Sequence, residues 1–160
     1  MRFFVLAFVT GCTPHLVSHG EEITGLNWEA PENEWPAGEP PNTLVGEGFS
    51  EGQVPHDFRF PDQHGDEVSL WQFYGSLILL DISTMWCGPC QQIAQEVDET
   101  WKDYRDDDFM YLTLLPEDLE GGAVDEADLQ DWASSFGIEA PVIADNDGYG
   151  YRVEPDQVWP

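Results

Sequence analysis

Two cysteines separated by two residues stand where an apolar run gives way to a helical pattern, and that junction constrains this chain more than any other feature. Leu77-Ile78-Leu79-Leu80-Asp81-Ile82-Ser83 is a continuous apolar run with one carboxylate, the composition of a strand buried on both faces. Trp86-Cys87-Gly88-Pro89-Cys90 follows. Beyond it Ile93, Ala94, Val97, Trp101 and Tyr104 fall on one helical face. The cysteine pair therefore sits where a buried strand turns into an amphipathic helix.

That placement decides the chemistry. A helix N-terminus has free N–H groups and the positive end of the helix dipole. Both favour a thiolate over a thiol at Cys87, which makes it the expected nucleophile. Two intervening residues let the sulfurs meet in a small ring. Pro89 fits the first helical turn, where its missing N–H costs nothing. Cys90 faces inward and is the expected resolving thiol. Asp81 lies six residues before Cys87 on the adjoining strand. A carboxylate buried there can take the proton from Cys90 as a mixed disulfide resolves; the alternative is a purely structural or partly exposed carboxylate. Trp86 is read as both packing and rim of the site. An inert structural disulfide, or half of a metal site, is the bland reading of the pair.

Trp86-Cys87-Gly88-Pro89-Cys90 resembles the active site of thioredoxin, and Asp81 matches the position of thioredoxin's buried aspartate. The wider layout resembles the TlpA/ResA branch of membrane-tethered, extracytoplasmic thiol-disulfide oxidoreductases, whose leading segment is matched by Asp57-Phe58 through Gly75. The resemblance covers roughly residues 45–160. It implies an α/β thioredoxin-like fold, a central mixed sheet flanked by helices, with Cys87, Gly88, Pro89 and Cys90 as the redox loop. It implies protein thiol and disulfide substrates, a membrane donor of electrons, and no cofactor beyond the cysteine pair. The Gly-Pro dipeptide resembles that of reductants, which favours a reductase. Two features depart from the family. Gln95 stands where its active-site helix often has proline, so the usual kink is not expected. Ser83-Thr84-Met85 differs from its aromatic-rich approach to the motif.

Thioredoxin-fold enzymes place a cis-proline beside the cysteine pair. Pro141 and Pro160 are the candidates. The TlpA/ResA layout puts a Pro-Val strand and a following aspartate before the cis-proline. Pro141 to Asp145 matches that segment, so Pro160 is the better match. The expectation that follows is a domain lacking its last strands and final helix. A complete, minimal domain using Pro141 is the rival.

The N-terminus carries a second signal. Arg2 precedes an apolar run, Phe3 to Val9, too short to span a bilayer as a mature helix. It reads as a signal peptide, residues 1–11. Val9-Thr10-Gly11-Cys12 resembles the lipobox of bacterial lipoproteins, in which the cysteine takes the lipid. Cys12 is then chemically occupied, and the protein is anchored to a bacterial membrane outside the cytoplasm, where disulfides persist. An ordinary N-terminal strand with a chance cysteine is the alternative. Residues 12–44 are acidic and proline-rich, with Glu29 to Pro36 and Gly38 to Pro41 as the densest stretches, and read as a solvated tether ahead of a domain at 45–160. Trp28 and Trp35 are its exceptions, as docking residues. His15 and His19 read as linker residues.

Composition excludes several functions. Five basic residues against 32 acidic ones give a net charge of −27. Such a surface repels nucleic acid and anionic headgroups, so neither is an expected partner. Three cysteines, without a second pair, exclude a four-cysteine zinc site. His56 and His64 lie at strand edges and read as structural. Asp145-Asn146-Asp147-Gly148 faintly resembles a calcium loop but lacks the downstream ligands.

The remaining pattern completes an alternating α/β chain. Phe58 and Phe60 flank Arg59 in a strand pattern, and Pro61 to Asp66 is a turn. Phe109 to Leu115 is another buried strand, and Pro116 to Gly122 an acidic loop. Asp125 caps a helix with Leu129, Trp132, Ala133 and Phe136 on its apolar face, and Gly137 ends it. Two other functions remain. A peroxiredoxin is echoed by Thr84-x-x-Cys87, although Leu80 stands where its proline would be. A non-catalytic lipoprotein that binds partners through a degraded fold is the other.

Overall fold

Parallel strands need long crossovers, and the two helical patterns supply them in the computed structural model, which describes residues 23–153. In chain order the elements are β1 (Arg59–Pro61), β2 (Glu67–Ser69), a 3-10 turn at Leu70–Phe73, β3 (Leu77–Ile82) and α1 (Gly88–Tyr104). A second 3-10 turn at Arg105–Asp107, β4 (Phe109–Leu115), α2 (Glu126–Phe136), β5 (Val142–Ala144) and α3 (Tyr149–Val153) follow. β3, β4 and β5 form a parallel sheet in that order, with Asp81 opposite Thr113 and Thr113 opposite Val142. β1 and β2 form an antiparallel hairpin, joined to β5 by an isolated antiparallel bridge between Asp62 and Ile143. The architecture is thus the expected α/β one, a mixed sheet flanked by helices. No helix among the described residues is long and apolar enough to cross a membrane.

β4 is the buried centre. Leu112, Leu114 and Leu115 are fully enclosed, with Phe73, Leu129, Val142, Ile143 and Tyr149 packed into the same core. β3 corrects the expectation of a strand buried on both faces: Leu77 is 72% exposed and Leu79 39%. The reason is position. Among the described residues β4 has a strand on each side, whereas β3 is paired on one edge only. An uninterrupted apolar run does not distinguish the two situations.

α1 runs 17 residues without a break, with Gln95 in its interior. Ala94, Val97 and Trp101 are buried as the pattern predicts, but Tyr104, in the last turn, is 55% exposed and meets Phe109 only edge-on. α2 begins as expected, at Asp125. The Asp125 carboxylate accepts from the Asp128 N–H, and the Asp128 carboxylate accepts from the Asp125 N–H. It ends at Gly137, which takes the left-handed conformation at φ 69°.

The tract read as a solvated tether is laid onto the domain from Thr24 to Val45, which form a β-bridge. Trp28 donates from its indole N–H to Ser69 Oγ (2.9 Å), and Trp35 to Asp62 Oδ2 (2.6 Å). The Trp35 ring also meets Trp101 of α1 edge-on, at 6.4 Å between centroids. Asn33 bonds the Glu67 carbonyl and exchanges hydrogen bonds with the Gln72 side chain. Composition alone predicts extension here. A tryptophan reverses that locally, because burying its ring while satisfying its N–H is favourable at one stroke. Cys12, His15, His19 and Pro160 lie outside the described residues. The Ala140–Pro141 peptide is trans, and Pro141 opens β5 by accepting from the Thr113 N–H (3.0 Å). β4 therefore lies between Pro141 and the strand that leads to the cysteines.

Candidate active site

β3 ends against β4, where the Ser83 N–H donates to the Leu114 carbonyl (3.0 Å). The chain then leaves the sheet. The Cys87 N–H turns back onto the Thr84 carbonyl (3.1 Å), and the Met85 N–H donates to the carbonyl of Glu117 (3.0 Å). Gln91, in the first turn of α1, donates from its side chain to the Met85 carbonyl (2.7 Å). The loop is thus fastened on one side to the segment after β4 and on the other to the helix it introduces.

Cys87 is the N-cap of α1. Its backbone is extended, and its sulfur accepts from the Cys90 N–H at 3.2 Å. Serine, threonine and aspartate hold this position in most helices; here a sulfur does, next to the free N–H groups of the first turn. Pro89 occupies that turn, where it gives up no hydrogen bond. Cys87 and Cys90 are joined as a disulfide, their Cα atoms 5.2 Å apart. Cys90 is wholly enclosed and Cys87 is 4% exposed, so Cys87 is the outer of the two. Gly88 has open space where a side chain would begin and a negative φ, so packing here does not require glycine.

Asp81, the penultimate residue of β3, is buried, with Ser83 Oγ within hydrogen-bonding distance of both its carboxylate oxygens (3.0 and 3.1 Å). Burial raises its pKa, and the Ser83 hydrogen bond only partly opposes that. Tyr111 on β4 shares this environment. Its hydroxyl is pushed well above the ordinary phenol value, chiefly by burial and then by the charges of Asp81 and Glu96.

Trp86 is 47% exposed beside the disulfide. Its indole N–H donates to Glu117 Oε2 (2.6 Å), and the Tyr151 hydroxyl of α3 donates to the other oxygen of the same carboxylate. Sequence reasoning identified Trp86 but neither Glu117 nor Tyr151, which are 31 and 65 positions away in the chain. Asp145, in the stretch resembling a calcium loop, spends both carboxylate oxygens on the Tyr149 and Gly150 N–H groups at the start of α3.

The sequence matches the AhpC/TSA family over residues 52–151. It is 26% identical over 101 residues to the thioredoxin-like protein YneN of Bacillus subtilis, which covers 63% of this chain and 57% of the relative. The chain thus spans little more than half the length of that curated relative. Among solved structures it resembles the thioredoxin domain of a thiol-disulfide oxidoreductase from Bacteroides vulgatus, at 16% identity and a TM-score of 0.53, over 72% of this chain and 74% of that one. It also resembles the peroxidoxin BcpB of Mycobacterium tuberculosis, at 14% identity and a TM-score of 0.51, over 68% and 64%. At these identities the likeness shows the fold alone, which is thioredoxin-like.

Proposed function

The chain belongs to the AhpC/TSA family, and from that premise we propose that it is a thiol-disulfide oxidoreductase acting on protein disulfides through Cys87 and Cys90. The observation that carries this reading is the disulfide itself, closed across the first turn of α1 with the outer cysteine as the helix N-cap. In the reduced protein the Cys87 thiolate attacks one sulfur of a substrate disulfide. The other substrate sulfur leaves as a thiolate, and a mixed disulfide forms. Cys90 gives its proton to Asp81 and attacks the Cys87 sulfur. The second substrate thiolate departs and the Cys87–Cys90 disulfide is restored, two electrons having passed to the substrate. Trp86, Gly88 and Pro89 frame the approach.

The reductase direction rests on the resemblance of Gly88-Pro89 to reductants. It requires a dithiol donor to reduce the pair again, and outside the cytoplasm that donor is a membrane protein. Lipid attachment at Cys12, extracytoplasmic residence on a bacterial membrane, and Pro160 at the cis-proline position belong to the same proposal and rest on sequence resemblance. So does a domain starting near residue 45, although docking of Trp28 and Trp35 argues for including the tract before it.

A peroxidase is the second reading, favoured by the family match and by Thr84, three residues before Cys87, whose hydroxyl is buried without a hydrogen-bond partner among the described residues. One experiment separates the two. The purified protein is equilibrated against dithiothreitol redox buffers, and Cys90→Ser is tested for trapping of protein substrates and for peroxide consumption. Exchange predicts a reversible two-electron transition, stable mixed disulfides on Cys90→Ser and none on Cys87→Ser. Peroxide turnover by Cys90→Ser without trapped partners transfers the function to the peroxidase reading.

A further inference from the structure

Beside the disulfide lies a groove of about 460 Å³, lined by Met85 of the active loop, Gln91 of α1, Leu119, and Asp131, Trp132 and Phe136 of α2. Its apolar part is unusual in one respect. Leu119 is 59% exposed, yet it is not on a loose loop. Asp118 Oδ1 accepts from the N–H groups of Glu120 (2.8 Å) and Gly122 (2.7 Å), and the Asp118 N–H donates to the Gly122 carbonyl (3.0 Å). The turn is tied, and the leucine at its tip is presented. A leucine held this way beside the groove offers an apolar contact to whatever enters it. Trp132 adds an indole N–H that is buried without an acceptor among the described residues.

The charge around the groove has one sign. Asp128 and Asp131 stand on its α2 wall, and Leu119 comes from an acidic stretch of chain, between Glu117-Asp118 and Glu120. The cations of the described residues nearest in sequence, Lys102, Arg105 and Arg152, bond elsewhere: Lys102 to Asp98 and Glu139, Arg152 to Asp147, with Arg105 over the Trp101 ring. An apolar floor under an acidic rim fits a segment that carries both an aliphatic and a cationic side chain. Its position, reaching the residues on either side of the Cys87–Cys90 loop, fits the stretch of substrate that flanks the reacting sulfur.

We propose that this groove selects the substrate: the protein prefers disulfides whose flanking residues are basic and aliphatic, read by Asp131 and Leu119. The inference rests on the thiol-disulfide exchange reading and adds the class of substrate to it. Charge acts mainly on encounter and specificity, so the effect is expected in the second-order rate constant and to fall with added salt.

The test uses the reduced full chain and three probes: 2-hydroxyethyl disulfide, which is small and neutral, and two disulfide-linked pentapeptides. In the peptides, leucine stands at each end, and the cysteine is flanked by lysines in one and glutamates in the other. Each peptide rate is divided by the same variant's rate with 2-hydroxyethyl disulfide, so that general changes in exchange cancel. The expected lysine-to-glutamate preference is at least tenfold at low salt. Asp131→Lys is expected to cut it at least threefold. Leu119→Ser is expected to lower both normalised peptide rates at least threefold. Asp103→Lys makes the same change in net charge in the last turn of α1, roughly 20 Å along the helix from the cysteines, and is expected to leave the preference intact. Equal losses from Asp103→Lys and Asp131→Lys assign the preference to overall charge and overturn the groove. So does a preference that neither Asp131→Lys nor Leu119→Ser changes. Absence of any reaction with 2-hydroxyethyl disulfide instead removes the exchange reading, and the groove proposal with it.

Discussion

Trp86 and Glu117 are joined by a hydrogen bond of 2.6 Å from the indole N–H to a carboxylate whose other oxygen accepts from the Tyr151 hydroxyl. One side chain thus connects the rim of the disulfide to α3. The backbone carbonyl of the same residue accepts from the Met85 N–H. Replacing Glu117 by Ala removes two hydrogen bonds to a charged acceptor. At partly exposed positions the expected cost is about 1–2 kcal/mol of stability, with a fall of three- to tenfold in kcat/KM for protein disulfides as Trp86 comes free. A phenol reports on the same contact. The Tyr151 pKa is pushed up to about 12, by burial first and then by the hydrogen bond and charge of Glu117. With Glu117→Gln the charge is gone and burial stays, so Tyr151 is expected to titrate between the ordinary 10 and about 12. Absorbance titration, with Tyr151→Phe as the blank, checks this. The sign for stability follows. Because the unfolded phenol ionises first, the fold loses stability as pH rises from 10 toward 12, and loses less in the Gln variant.

The junction of buried strand, Cys-x-x-Cys and amphipathic helix was legible because each part has a local signature: a run, a spacing, a period. The caps of α2 were legible for the same reason, since Asp125 and Gly137 act on their own neighbours. What was not legible depends on distance along the chain. Glu117 meets Trp86 across 31 residues, and no periodicity marks an acidic residue in an acidic loop as the one that does so. The exposure of Leu77 and Leu79 depends on which strands lie beside β3, which an apolar run does not encode. Tyr104 has the correct period but lies in the last turn of α1, where the face it shares is no longer covered.

Asp81 gives a prediction in which stability and activity move in opposite directions. Burial raises its native pKa above the ordinary carboxyl value of 3.8. Between those values the native state holds more protons than the unfolded one, so stability falls as pH rises through that window and stays at the lower level above it. Asp81→Asn removes the cost of the buried charge while keeping a partner for Ser83. At pH 7 the Tm is expected to rise by about 2–4 °C, corresponding to roughly 1 kcal/mol for a domain of this size, and its acid-side dependence to flatten. The same variant cannot accept a proton from Cys90, so decay of the mixed disulfide is expected to slow by a factor of about 10–100. Melting curves from pH 3 to 8 and quenched-flow measurement of the mixed disulfide separate the two effects. A variant less stable than wild type at pH 7 contradicts the burial account, and one that resolves at the normal rate removes Asp81 from proton transfer.

Trp35 tests whether the acidic N-terminal tract belongs to the fold. Its ring leans on Trp101 of α1, and its N–H donates to Asp62, a fully buried carboxylate whose other oxygen is already taken by the His64 and Asp66 N–H groups. Removing the indole strips that carboxylate of one donor and uncovers part of α1. Trp35→Ala is expected to cost about 2–3 kcal/mol, and Trp35→Phe, which keeps most of the ring and loses the hydrogen bond, about 1 kcal/mol. Trp101 emission offers an independent check, since it is expected to shift to the red in Trp35→Ala as water reaches its edge. A tether that merely spaces the domain from its anchor predicts no change in either measurement. Equal and negligible effects of both substitutions would return residues 24–45 to that role, whereas a graded loss makes the tract a layer of the domain that supports the helix carrying Cys90.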